Sequence, residues 1–180
     1  DGFDDVIVGG AGYDPGGKSS AGSAFVILGR SSNANIDTAV FSTALGFRVD
    51  GASAGFFLGA TVTGDMDFNG DGFDDVAVDS ESAGNNSRPG SGSAHVIFGG
   101  PTMANVDTAA LPPNRGIRVD GAEANETFGF GLASAGDVNG DGFDDLIGGS
   151  SGSNHGVSNS GAANVVYGDS SPVNIDLLTF

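Results

Sequence analysis

Cysteine and tryptophan are absent from this sequence, and lysine and arginine together number only 6, against 23 aspartates and glutamates. Without cysteine there is no disulfide framework, although this alone does not fix the compartment, because many exported bacterial proteins have none. The formal net charge of −17 repels phosphate backbones and argues against nucleic acid as a partner. No apolar run approaches the roughly 18 residues of a membrane span, so no membrane insertion is expected. The first residues also lack the charged-then-apolar pattern of a signal peptide, which is the expectation for a mature or internal segment.

What is present is a chain of 180 residues with 33 glycines, 13 phenylalanines and 38% hydrophobic residues. That apolar content is too high for a solvating acidic tail, so the chain should fold. The carboxylates then need either dispersal over the surface or neutralisation by bound cations.

The sequence matches itself at an offset of 70: DGFDDVIV begins at Asp1, DGFDDVAV at Asp71 and DGFDDLIG at Asp141. GSAFVILG (22–29), GSAHVIFG (92–99) and GAANVVYG (161–168) follow, the last one residue short of register. ANIDT (34–38), ANVDT (104–108) and VNIDL (173–177) come next, then GFRVDGA (46–52) and GIRVDGA (116–122). Units of 1–70, 71–140 and a partial 141–180 result, or 180/70, about 2.6 copies. A repeat of this length marks an architecture in which no unit buries its apolar face alone.

Each unit carries four short segments of strand character between Gly, Asn, Ser and Pro clusters, and none shows helical periodicity over helical length. The first alternates Leu58, Ala60 and Val62 with Gly59, Thr61 and Thr63, and recurs as Phe128, Phe130 and Leu132 on one bulky face. The second (Val6 to Val8, Val76 to Val78, Leu146-Ile147) is apolar on both faces, as a central strand requires. The third is Ala24 to Leu28 and its copies; the fourth alternates Phe47 and Val49 around Arg48, or Ile117 and Val119 around Arg118. The expected fold is all-β, with tandem four-stranded antiparallel blades of β-propeller type in an incomplete array, since closed propellers need about four to eight blades.

The chemistry lies between the first and second segments, in DFNGDGFDD (67–75) and DVNGDGFDD (137–145). Oxygen-bearing side chains fall at positions 1, 3, 5 and 9: Asp67, Asn69, Asp71 and Asp75, then Asp137, Asn139, Asp141 and Asp145. Gly72 and Gly142 permit a sharp turn, after which the carbonyl of Phe73 or Phe143 faces the same centre while its ring packs inward. Asp74 and Asp144 are left for solvent or a neighbouring loop. Hard oxygen donors in a flexible loop select Ca²⁺ over Mg²⁺, which demands strict octahedral geometry. An EF-hand begins the same way but needs a bidentate Glu at position 12, where this chain has Val78 or Gly148. A plain Asx-rich turn needs one or two such residues, not three carboxylates and an amide repeated in fixed spacing. Two loaded loops change the formal charge to −17 + 4 = −13. Asp1, Phe3 and Asp5 match positions 5, 7 and 9 of a third loop, a remnant expected to bind weakly.

The stretch FGFGLASAGDVNGDGFDDLIGGS (128–150) resembles an FG-GAP repeat, the unit of integrin α-subunit propellers and of many bacterial surface and secreted proteins. That resemblance extends over nearly the whole chain, once per unit. It implies propeller blades with Ca²⁺ held between the first two strands, an extracellular or cell-surface location, and roles in adhesion or scaffolding. LGATVTGDMDFNG (58–70) departs from it, lacking the opening Phe-Gly and adding Asp65 beside the loop.

Other signals are weaker. GGAGYD (9–14) resembles the Gly-rich calcium repeat of secreted toxins but occurs once, and an ordinary strand-exit loop accounts for it. His95 and His155 have no partner constellation, and no catalytic motif occurs, so no enzyme activity is expected. Asn85 and Asn125 head glycosylation sequons. The function expected is a non-catalytic calcium-binding module that contacts a protein or glycan ligand. The alternatives are a self-assembling block of an extracellular filament or ring, and an accessory propeller of a secreted hydrolase. Its nearest partners would be neighbouring repeats of the same or identical chains, in a homo-oligomer or filament where the chains are identical.

Overall fold

The computed structural model describes residues 2–32, 34–101, 104–154 and 160–179. Among them there is no α-helix. Strands β1 (Val6–Gly10), β2 (Ser23–Ile27) and β3 (Gly46–Asp50) come from the first unit. They are followed by β4 (Val62–Met66), β5 (Asp75–Ser80), β6 (Ser93–Ile97), the two-residue β7 (Val106–Asp107) and β8 (Gly116–Asp120). The last group is β9 (Phe128–Gly136), β10 (Asp145–Ser150), β11 (Ala162–Val166) and the two-residue β12 (Ile175–Asp176). They form three sheets, ordered β1-β2-β3-β7, β4-β5-β6-β8-β12 and β9-β10-β11, that stack without closing into a barrel. This is a set of all-β, propeller-type blades, incomplete as a ring. The central sheet contains all four antiparallel strands of a blade, β4, β5, β6 and β8.

Strand alternation sends each sheet's two faces to two different neighbours. Ala24, Val26, Phe47 and Val49 of the first sheet meet Val78 and Ile97 of the second, with Leu58 and Val106 completing the cluster. The other face of the second sheet, Ala77, Ala94, Val96, Ile117 and Val119, meets Leu146, Val166, Phe128 and Leu132 of the third. Fully burying a side chain such as Leu58 or Val119 contributes about 1.5–3 kcal/mol, and each sheet obtains that burial only from the next one along.

The first strand differs from the sequence expectation. Strand β4 begins at Val62, and Leu58 makes only an isolated bridge to Gly22. Phe128, Phe130 and Leu132 do not share a face: Phe128 is fully buried whereas Phe130 is 61% exposed. Gly129 sits at φ +97°, and the pairing jumps from Gly149–Gly131 to Ser150–Phe128, so residues 129 and 130 bulge out of the ladder while Phe128 and Leu132 keep the same face, both against Gly148.

ANVDT and VNIDL, which read as landmarks without strand assignment, supply an added edge strand to the sheet before their own, the fourth strand of the first sheet and the fifth of the second. β7 pairs parallel with β3 (Val49 with Val106), and β12 pairs parallel with β8 (Val119 with Ile175). Asn105 Oδ1 accepts from Arg48 N at 2.9 Å, and Asn174 Oδ1 from Arg118 N at 2.8 Å. Lys18 then reaches Asp107, and Arg88 reaches Asp176, which locks each added strand to the blade it joins.

Candidate metal centre

Each candidate loop hangs between a first and a second strand whose ends are fixed in the core. Met66 and Phe68, both fully buried, flank Asp67. Alternation therefore turns the Asp67 side chain away from the core and toward the loop. There its Oδ1 accepts from Asp71 N at 3.0 Å and its Oδ2 from Gly72 N at 2.9 Å. Asn69 Oδ1 accepts from Asp71 N at 2.9 Å, Asp71 Oδ1 from Phe73 N at 2.9 Å, and the Asn69 amide donates to Asp71 Oδ2 at 3.1 Å. Gly72 takes φ +85°, the left-handed turn that its lack of a Cβ permits.

The second loop repeats the pattern. Asp137 accepts from Asp141 N at 3.1 Å and Gly142 N at 2.9 Å, Asn139 from Asp141 N at 2.9 Å, and Asp141 from Phe143 N at 3.0 Å. Asp137 also accepts from Gly140 N at 2.6 Å. These donors, Gly142 first, hold the Asp137 carboxyl below its ordinary range.

Position 9 serves differently in this structure. Asp75 is fully buried; its Oδ2 accepts from Phe68 N at 3.0 Å and its Oδ1 from Gly99 N at 2.7 Å. Asp145 accepts likewise from Val138 N at 3.0 Å and Gly168 N at 2.9 Å, and Asp5 from Gly29 N at 2.8 Å. The closing aspartate thus stitches the loop to the end of the third strand in all three units. Burial pushes the Asp75 carboxyl up to about 7, opposed by the two N–H donors and reinforced by the charges of Asp71 and Asp67.

The donor set is chemically suited to a hard cation: three carboxylates, an amide oxygen and a backbone carbonyl in each loop, with no basic side chain among them. None of the four ion pairs among the described residues uses a loop carboxylate. Among those residues no three Asp, Glu or His side chains converge into a metal-holding cluster.

The remaining sequence candidates separate clearly. Phe73 is 43% exposed and Phe3 50%, so the position-7 ring does not pack inward as expected. It lies instead over glycines. The Cβ of Phe73 is at Gly99, and the Phe143 ring is at Gly70 of the other loop. The physical reason is that Asp75 and Asp145 take up the buried place beside the loop, leaving the aromatic to cover bare backbone. Asp144 takes the second of its two expected settings, reaching the neighbouring loop at Asp67 N. Asp65 is exposed at φ +59° on a bulge of β4. GGAGYD leads out of β1 into a turn. His95 is buried within the sheet, Asn85 donates its amide to Ser93 Oγ, and Asn125 is exposed. Asp1 and His155 lie outside the described residues. The sequence reading missed the interblade contacts, for which the recurrence of Lys18 and Arg88 at the repeat offset was the available signal.

Stacked antiparallel blades with an Asp/Asn/Gly loop between the first two strands define a repeat class, and residues 128–167 match the family model for the FG-GAP repeat. That segment, β9 to β11 with the second loop, is an FG-GAP repeat. Over 151 residues, 83% of this chain, the sequence is 32% identical to the phosphatidylinositol-glycan-specific phospholipase D of Bos taurus. The chain spans 17% of that relative's length.

Proposed function

We propose that this chain is a calcium-stabilised, non-catalytic module of an extracellular protein, with Asp67, Asn69, Asp71, Asp75 and the Phe73 carbonyl holding one Ca²⁺. Asp137, Asn139, Asp141, Asp145 and the Phe143 carbonyl hold the second. Asp5 and the Phe3 carbonyl correspond to positions 9 and 7 of the same loop. The observation that carries this reading is the same hydrogen-bonded loop built twice around carboxylates with no basic partner. Repulsion among those carboxylates is relieved by a divalent ion, and ion binding to the folded state adds to its stability. The blades form the scaffold, and the loops at their edges contact a protein or glycan ligand in adhesion. The test is a thermal melt of the chain with calcium and with excess chelator. A large downward shift on chelation is expected, and coincident curves contradict the reading.

A second reading is an accessory propeller of a secreted hydrolase, supported by the match to part of a phospholipase. On this reading the chain has no active site of its own and positions a catalytic domain elsewhere. Hydrolysis of a phosphatidylinositol-glycan by this segment alone contradicts both readings.

Assembly through further repeats has its own support. Val6 and Val8 are 55% and 43% exposed on the outer face of the first sheet, where their counterparts Val76 and Val78 pack onto a preceding blade. Ile147 and Val165 are similarly exposed on the outer face of the third sheet. These are the two halves of the interface used twice inside the chain. Identical chains meeting head to tail would bury them, building a filament or ring. Size measurement with and without calcium tests this, and a monodisperse monomer in both contradicts it.

A further inference from the structure

We propose that Asp144 is a positioning residue for the neighbouring loop, holding Asp67 so that the two loops take up divalent cations as a coupled pair; the proposal rests on the calcium reading above.

Asp144 stands between two predicted ligands of its own loop, the Phe143 carbonyl and Asp145, but its side chain leaves that loop. Its Oδ2 accepts from Asp67 N at 2.8 Å, and its own N–H donates to Asp67 O at 3.1 Å. The peptide of the first ligand of loop 67–75 is therefore gripped on both sides by one residue of loop 137–145. A second contact runs parallel to this one. The Phe143 ring lies so close to Gly70, which sits at φ +72°, that a Cβ there would come within 2.4 Å of Cε1. Asp169 N adds a third, donating to Phe68 O at 3.1 Å. Positions 1, 2 and 4 of one loop are thus held by the next blade, two of them by positions 7 and 8 of the other loop.

Closure of loop 137–145 around an ion fixes residues 143 and 145, and so fixes the Asp144 carboxylate between them. Asp67 is then held in place before loop 67–75 closes, and less ordering remains to oppose binding there. Coupling of binding free energies is reciprocal, so an ion in loop 67–75 favours loop 137–145 to the same degree. Asp74 occupies the same position 8 in loop 67–75 but is exposed, and no described residue donates to its side chain, so it serves as a control.

The test is calorimetric titration of the chelator-stripped chain with CaCl₂, alongside Asp141→Ala, which reports loop 67–75 alone, and Asp71→Ala, which reports loop 137–145 alone. Each single-loop chain should bind about tenfold more weakly than the intact chain binds at that loop, the size expected for one hydrogen bond. Asp144→Ala in the intact chain should reduce binding to the single-loop values. Asp144→Asn, whose amide oxygen still accepts from Asp67 N, should retain the coupling, and Asp74→Ala should leave it untouched. Equal affinities in intact and single-loop chains overturn coupling, without any change at residue 144. Coupling that survives Asp144→Ala removes Asp144 from it. Either result leaves the calcium reading standing, whereas an intact chain that takes up no calcium ends both.

Discussion

Arg88 and Asp176 meet at 2.5 Å, joining the loop before β6 to the short strand β12 that follows the third sheet. Arg88 Nε also donates to Gly121 O at 3.0 Å, so a single side chain binds both the end of β8 and the strand added beside it. Lys18 repeats the arrangement one unit earlier, donating to Gly51 O and Asp107, both at 3.1 Å. Side-chain exposure is 13% and 28% in the Arg88 pair, against 32% and 52% in the Lys18 pair. Screening by water weakens the second more.

Arg88→Ala is accordingly expected to destabilise the chain by about 1–2 kcal/mol, and Lys18→Ala by under about 1 kcal/mol. Denaturant unfolding of the two variants checks the order. Equal effects would mean that burial does not set the strength of this clasp.

The scarcity of basic residues made this clasp more legible than the sequence reading allowed. Of six lysines and arginines, four fall into two pairs at the repeat offset, Lys18 with Arg88 and Arg48 with Arg118, and all four form ion pairs. The blades and the Asp/Asn/Gly loops between their first two strands were legible because period-2 alternation and the turn-forming pattern are local. The added edge strands were not. Val106-Asp107 and Ile175-Asp176 are too short to show a period, and their pairing depends on a sheet built from residues 46–50 or 116–120. The bulge at Phe130 was hidden for a related reason, since it follows from the left-handed backbone at Gly129 rather than from side-chain type. The stitching role of Asp75 and Asp145 depends on Gly99 and Gly168, more than 20 residues along the chain in each case.

Calcium removal should lower the melting temperature in proportion to the binding free energy. An ion present at 100 times its Kd stabilises the folded state by about 2.7 kcal/mol per site. Asp71→Ala and Asp141→Ala should each remove part of the calcium-dependent rise in Tm, and the double variant should remove nearly all of it. Differential scanning calorimetry at fixed calcium tests this; a double variant that retains the full rise would place the ion elsewhere.

Gly92 at φ +76° carries the bridge from the second sheet to the third, and a Cβ there would lie 2.3 Å from Phe128 O and 2.4 Å from Phe128 N. Both atoms belong to backbone, which has no rotamer by which to move away. Gly92→Ala should therefore cost at least about 2 kcal/mol, the left-handed strain adding to the clash. Gly140→Ala has a comparable φ of +80° and nothing within 4 Å, so it isolates the conformational part at about 1 kcal/mol. If the two variants unfold at the same denaturant concentration, close approach at Gly92 is not what joins the sheets.

Asp79 is fully buried on the face of β5 toward the third sheet; its Oδ1 accepts from Thr61 N at 2.7 Å, and its Oδ2 has no hydrogen-bond partner among the described residues. Burial pushes its carboxyl up to about 7, opposed by the N–H of Thr61 and reinforced by Glu81. A carboxyl raised in the folded state contributes stability that is fully present below its unfolded pKa of about 3.9 and is lost as pH climbs through 7. His95 acts in the opposite sense. Burial, then Arg118, lowers its pKa to about 4, so its contribution improves as pH rises from about 4 to about 6.5. Subtracting the wild-type profile from that of Asp79→Asn cancels the histidine. The difference should be small at pH 4 and reach about 2–4 kcal/mol in favour of the variant at pH 8. Chemical denaturation across that range, in chelator so that the calcium loops do not contribute, measures it directly. A difference that stays flat with pH would mean that Asp79 is ionised throughout and that water or a cation reaches Oδ2.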